Sequence, residues 1–285
     1  MAETGLSPAA DLVRRLDPPL FLAALFAREP ARERLMVLSA FDIELSRAVA
    51  KARETTEAPM LARMRLQFWR DRLAAAEMGD APGLEVAAHE VAGPLHDLLT
   101  GHLAGSIAEA EALIEAREAE LDAPFDAGTW AHWVETRFGA WYRLALAALD
   151  LGPSSNAALA ASSAGTIAAA GFVLRHAMPL AAEGAVLLPG LGQGEAALIL
   201  RGERSGQVDE AVTALLAEGR AARRTLSSFR SVLGRRAAPA FLPLLRAERT
   251  LRRAAGGADL AALADGADSR ALSAAYLWRA TTGRW

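Results

Sequence analysis

Apolar residues recur at spacings of three and four along almost the whole chain, and no region sustains the period-two alternation of a half-buried strand. Leu35, Leu38, Phe41, Leu45 and Val49 fall on one helical stripe, and Leu61, Met64, Phe68 and Leu73 on another. Alanine, the best helix former, supplies much of the apolar fraction, while β-branched residues are sparse. The pattern predicts an all-α fold.

Breakers and caps place the helices. Asp17-Pro18 pairs an N-cap with proline at the first helical position, predicting a helix to about Ala27. Pro30 opens one over 31–53, and Pro59 another to Met78, stopped by the Gly79–Gly83 run. Further helices are predicted over 84–100, 103–121, 126–149, 156–176, 208–233, 239–254 and 259–279. Residues 1–16 are expected to be a loose leading segment and 184–194 a loop. The 285 residues lie near the upper limit for one hydrophobic core. A single helical-bundle domain over 1–285 is therefore expected.

Several function classes are excluded. A net charge of −3 gives the chain no general attraction for nucleic acid. The absence of cysteine removes disulfides, thiolate nucleophiles and thiolate metal sites. The first sixteen residues lack the basic start and apolar run of a signal peptide. No stretch is expected to reach the roughly 20 apolar residues needed to span a bilayer, the best candidate, Leu20 to Ala27, being far too short. A cytoplasmic protein, peripheral at most to the inner membrane, is the expectation.

The order of several short motifs resembles the squalene/phytoene synthase family. LFLAALFAREPARERLMVLSAFDIELSRA, from Leu20, resembles its opening helices, and Met64 to Leu73, MRLQFWRDRL, resembles an Arg-Leu-Gln-Trp-Trp-Arg-Asp signature. IEAR (Ile114–Arg117), DAPF (Asp122–Phe125), TRFG (Thr136–Gly139) before Trp141, and the stretch from Leu174-Arg175 to Leu188-Pro189 add to the likeness. The resemblance implies an isoprenoid (terpenoid) synthase bundle. Active members join two prenyl diphosphates using magnesium held by aspartates on two facing helices. Such clusters work because positions i, i+1 and i+4 of a helix lie within about 100° of one another, and Mg²⁺ requires oxygen ligands.

At the positions corresponding to those aspartates this chain has Ser46, Arg47 and Ala50 on one helix and His176, Pro179 and Leu180 on the other. None is a carboxylate. Pro179 is expected to end or kink its helix. Asp42 and Glu44, two residues apart and so about 200° round the helix, are read as surface or cap charges. Val173 to Pro179 is most similar to a non-synthase branch of the family that includes a mitochondrial complex I assembly factor. The resemblance thus implies a non-catalytic protein without metal or other cofactor, acting in respiratory-complex assembly or prenyl-lipid binding. Its implied partners are a prenyl lipid or quinone, a respiratory-complex subunit and a membrane surface. An active prenyl diphosphate transferase, which would need Mg²⁺, is the alternative, and a cavity-free helical scaffold a third reading. Phe41, Gln67, Trp69, Arg70, Arg175 and His176 are the candidate pocket-lining residues.

Other motifs carry less. The histidines, His89, His96, His102, His132 and His176, form no H-x-x-x-H pair. Gly190-Leu-Gly192-Gln-Gly194 lacks the strand and the Lys-Ser/Thr of a phosphate loop. Ser106 and Ser205 stand in no nucleophile elbow. Between Arg220 and Arg253 lie ten arginines and one acid, Glu248. Arg220, Arg223, Arg224, Arg235 and Arg236 are read as either the solvated faces of amphipathic helices or a surface for anionic lipid or an acidic partner.

Overall fold

Caps and prolines start the helices where the sequence places them. The protein's structure is a computed structural model describing all residues except 1–4, 51, 53–56, 204 and 265–268, and the side chains of all of these except 269 and 270. Ser7 accepts from the Ala10 N–H at 3.1 Å and opens α1 (Pro8–Leu16). Asp17 accepts from Leu20 N–H at 3.1 Å and opens α2 (Pro18–Ala24). α3 (Ala31–Val49) follows Pro30; the predicted end at 53 lies outside the described residues. α4 (Ala58–Met78) ends on Gly79, whose φ of +72° suits a residue without a Cβ. The expectation that 1–16 is loose is corrected over residues 8–16. α1 presents Ala9, Leu12 and Val13 on one face, buries them against α3 and leaves Asp11, Arg14 and Arg15 to pair on the outside.

Two further differences have local causes. The stretch predicted as one helix over 84–100 is two, α5 (Leu84–Ala87) and α6 (Ala92–Thr100). The His89 imidazole accepts from the N–H groups of Val91 and Ala92, both at 3.1 Å, and so caps the second. After α7 (Ile107–Ala119) and a tight turn at Glu120–Asp122, the predicted 126–149 rod contains one wide turn. α8 (Ala127–Val134) passes through π geometry at Glu135–Gly139, where Ala140 N–H bonds to the Glu135 carbonyl, into α9 (Ala140–Ala148).

The axis of the bundle is α10 (Ser155–Ala182). It runs through Pro179, contrary to the expected stop. Proline deletes the N–H that would reach the carbonyl four residues back, but here only the last turn is affected. The helix also corrects the expectation that no stretch is apolar enough to span a bilayer: by length and composition alone it is, with mean hydropathy 1.7 in its most apolar window. Most of that window is buried by neighbouring helices, as in a core helix. Around it pack α9, α11 (Ala196–Leu200), α12 (Gly206–Ser228), α15 (Leu244–Ala255) and α16 (Leu260–Ala264). Short α13 (Arg230–Leu233) and α14 (Ala238–Phe241) lead into α15, and α17 (Ser269–Thr282) packs on α2, α14 and α15. No strand occurs among the described residues.

Small residues set how closely the axis is approached. A Cβ at Gly165 would lie 2.7 Å from the Gly139 nitrogen, and one at Gly171 2.4 Å from the Ala247 Cβ. The π segment and α15 therefore sit against the backbone of α10. Gly171→Val forces α15 outward, because no rotamer relieves a clash with Cα and Cβ atoms. Overpacking of this kind costs about 1–3 kcal/mol. Thermal unfolding followed by circular dichroism should show Tm lowered by several degrees with helix content kept; an unchanged Tm would contradict the close packing.

Candidate functional site

A buried charge network joins α3, α7 and the π segment. Asp42 Oδ1 accepts from Arg117 at 3.2 Å and from Arg137 at 2.9 Å. Arg117 also reaches Glu120 at 3.2 Å, and Arg137 reaches it at 3.4 Å. The indole N–H of Trp133 donates to Glu120 at 3.3 Å. Ser46 donates to the Asp42 carbonyl at 2.9 Å and accepts from Arg117. Burial would raise the Asp42 pKa, but the two guanidiniums outweigh it and hold the carboxyl below its usual range. Burial likewise opposes the charge on Arg117, yet Glu120 and Asp42 raise its pKa. The reading of Asp42 as a surface charge is thus corrected. Its partners lie 75 and 95 residues away, beyond the reach of local pattern. Glu44 faces outward and pairs with Arg47 at 2.6 Å.

Beside this network opens a cleft of about 610 Å³ between α2, α3, the π segment, α10 and α15, within the size range of small-molecule sites. Phe138, Trp141, Phe172 and Leu244 form apolar wall. Its charged lining is Asp17, Asp42, Arg47, Arg137, Arg175 and Arg246. Asp17 pairs with Arg246 at 3.4 Å while capping α2.

Arg175 is the exception to this pairing. Its Nε and Nη1 are shut off from solvent and meet no acceptor. Burial, then the neighbouring Arg246, pushes its pKa down to about 10, so it remains a cation at neutral pH. His176 follows it in the wall. Burial and the Arg175 charge push its pKa down to about 4, so the imidazole is neutral. Its Nδ1 faces the Phe172 carbonyl at 2.9 Å, the geometry in which Nδ1 donates and Nε2 is left as an acceptor.

The residues expected from sequence are dispersed. Ser46, Arg47, Ala50, Arg175 and His176 line the cleft; Pro179 and Leu180 do not. Phe41 is fully buried and packs edge-on to Trp69 at 5.1 Å. Gln67 donates to Asp71 at 2.8 Å on the outside of α4, and Arg70 pairs with Glu111 and Glu118 of α7 at 2.8 and 2.6 Å. α4, which carries Gln67, Trp69 and Arg70, does not reach this cleft, and neither does Phe41 of α3; Trp69 instead lines a neighbouring pocket of about 540 Å³ with Arg47, Ala50, Phe68 and His89. Sequence reading missed Asp17, Arg137 and Arg246. The TRFG motif was the signal for Arg137, and nothing local marks the other two.

The wall does not fit a magnesium cluster. Mg²⁺ needs several oxygen ligands in near-octahedral array. The cleft has two carboxylates, Asp17 and Asp42, and guanidinium groups already hold both. No cluster of three or more potential metal-ligating side chains occurs among the described residues.

An α-helical bundle around one central helix, with a cleft where facing helices meet, defines a fold of the terpenoid synthase type. The chain is similar to the crystal structure of squalene synthase HpnC from Alicyclobacillus acidocaldarius at 15% identity, with TM-score 0.68 over 87% of this chain and 92% of that one. It is also similar to a ligand-bound dehydrosqualene synthase at 9% identity, with TM-score 0.71 over 96% and 94%. No curated protein sequence matches it. The squalene/phytoene synthase family profile matches residues 13–272. The chain belongs to that family.

The network makes stability depend on acid pH. Because the folded pKa of Asp42 is depressed, its contribution is complete above the ordinary carboxylate value of 3.8 and is lost as pH falls through the lower folded value. Asp42→Asn should lower stability at neutral pH and flatten the decline below that value, read by urea unfolding at several pH values. Arg117→Met, which leaves two buried carboxylates to share Arg137, should cost about 3–5 kcal/mol.

Proposed function

We propose that this protein is a non-catalytic member of its family that holds a polar-headed prenyl lipid, a prenyl diphosphate or a prenylated quinone, without magnesium. The observation that carries the reading is Arg175: a largely buried guanidinium that lines the cleft and has no carboxylate partner among the described residues, while the cleft's own carboxylates are already engaged. A guanidinium largely removed from water with no counter-charge is costly, and an anionic or carbonyl headgroup in the cleft would offset that cost. The aromatic wall of Phe138, Trp141 and Phe172 suits an unsaturated chain. Similarity to squalene and dehydrosqualene synthases supports prenyl compounds as the ligand class. Assembly of a respiratory complex through one of its subunits, at the inner face of a membrane, extends the same reading and rests on the resemblance of Val173–Pro179.

Titration calorimetry with farnesyl diphosphate should give the same affinity in EDTA as in Mg²⁺, with no diphosphate released. Arg175→Gln should weaken binding about ten- to a hundredfold, the loss expected for a charge-assisted hydrogen bond. Magnesium-dependent turnover would overturn the non-catalytic reading, and unaltered binding by Arg175→Gln would remove the assigned receptor.

A further inference from the structure

The ten arginines between 220 and 253 have separate destinations. Arg246 enters the cleft. Arg249 and Arg253 donate to the carbonyls of Ala271 and Ala262, fastening α17 and α16 to α15. Arg223 and Arg230 donate to the Trp285 carbonyl, at 3.3 and 2.7 Å. The Trp285 indole is buried, donates to the Gly234 carbonyl at 3.0 Å and lies 4.5 Å from the Phe241 ring. These five are structural.

Arg220, Arg224, Arg235 and Arg236 are exposed, and none has a partner among the described residues. Arg220 and Arg224, one turn apart on α12, border a second pocket of about 450 Å³ against α15. Arg223, Arg252 and Arg279 also line it, over an apolar floor that includes Leu216 and Leu251. Its one acid, Glu248, is spent on Arg223 at 2.8 Å and Arg279 at 3.0 Å. The pocket therefore keeps a strong positive excess. Gly219 is part of its shape, since a Cβ there would sit 2.9 Å from Leu251 Cδ1.

Exposed apolar side chains adjoin this charge. Val232 is 61% exposed, Leu277 59% and Trp278 54%. Arg284 lies over the Trp278 ring at 5.7 Å, and Arg235 lies against Gly283. An exposed tryptophan beside arginine matches the chemistry of a bilayer interface, where the ring sits at headgroup level and guanidiniums meet phosphates.

We infer that this face docks on an anionic membrane, with the α12–α15 pocket taking a lipid phosphate and Trp278 entering the interface. Charge complementarity selects the occupant: an apolar patch alone would fit many partners, but unpartnered arginines around an otherwise basic pocket favour an anionic phospholipid. The site is separate from the prenyl cleft.

The test is co-sedimentation of the full chain with vesicles of phosphatidylcholine alone or mixed with phosphatidylglycerol. Binding should require phosphatidylglycerol and weaken as salt rises. The exposed double variant Arg220→Gln/Arg224→Gln should bind about thirtyfold less tightly, and Trp278→Ser should also weaken binding. Arg201→Gln, far from the pocket on α11's end, should change nothing. Equal binding to both vesicles, or indifference to the double variant, would overturn the inference. So would sn-glycerol 3-phosphate in solution displacing the protein from vesicles at low concentration, since the pocket would then be a soluble-phosphate site.

Discussion

The Asp42–Arg117–Glu120–Arg137 network is the constraint on which the site depends. It holds two arginines and two carboxylates with little access to water. Removing charges from water is expensive unless each finds a partner, and deleting one member leaves the rest uncompensated. The four must therefore remain together. Because they come from α3, α7, the turn after it and the π segment, keeping them together fixes one wall of the cleft. The wide turn at Glu135–Gly139 belongs to the same device. It turns Trp133 toward Glu120 and Arg137 toward Asp42 within a few residues, while Gly139 and Gly165 let it lie against the axis.

The network also decides the polarity of the cleft. Its own charges cancel, and the Arg246–Asp17 pair cancels again. What remains on the wall is a guanidinium without a carboxylate partner among the described residues, Arg175, beside a neutral histidine. A wall of this kind attracts an anion or a carbonyl oxygen directly. A magnesium-dependent site needs the opposite sign, free carboxylates that gather cations around a diphosphate. The two designs need opposite charge on one wall and exclude each other.

Much of the fold was legible because its signals are local. Pro18, Pro59 and Gly79 bound helices where caps and breakers predict, and the stripe Leu35, Leu38, Phe41, Leu45 is buried as its spacing requires. The misses share a cause, a tertiary partner that no local window contains. His89 splits a predicted helix by capping its second half. Pro179 is carried within the last turn of a helix stabilised by packing on several sides. Asp42 looked like an exposed acid because its two arginines come from distant segments. Arg175 and His176 were identified by resemblance alone, and Gln67 and Arg70, named on the same ground, pair outside the cleft.

The proposed reading requires that the cleft, whose two carboxylates are held by guanidinium groups, gathers no divalent metal around a diphosphate. Manganese, which substitutes for magnesium and is visible by electron paramagnetic resonance, tests it directly when titrated into the protein with inorganic diphosphate. The account predicts that the protein removes no manganese from solution beyond what diphosphate alone complexes. Uptake of two or more ions per chain, abolished by substituting Asp17 or Asp42, would contradict it.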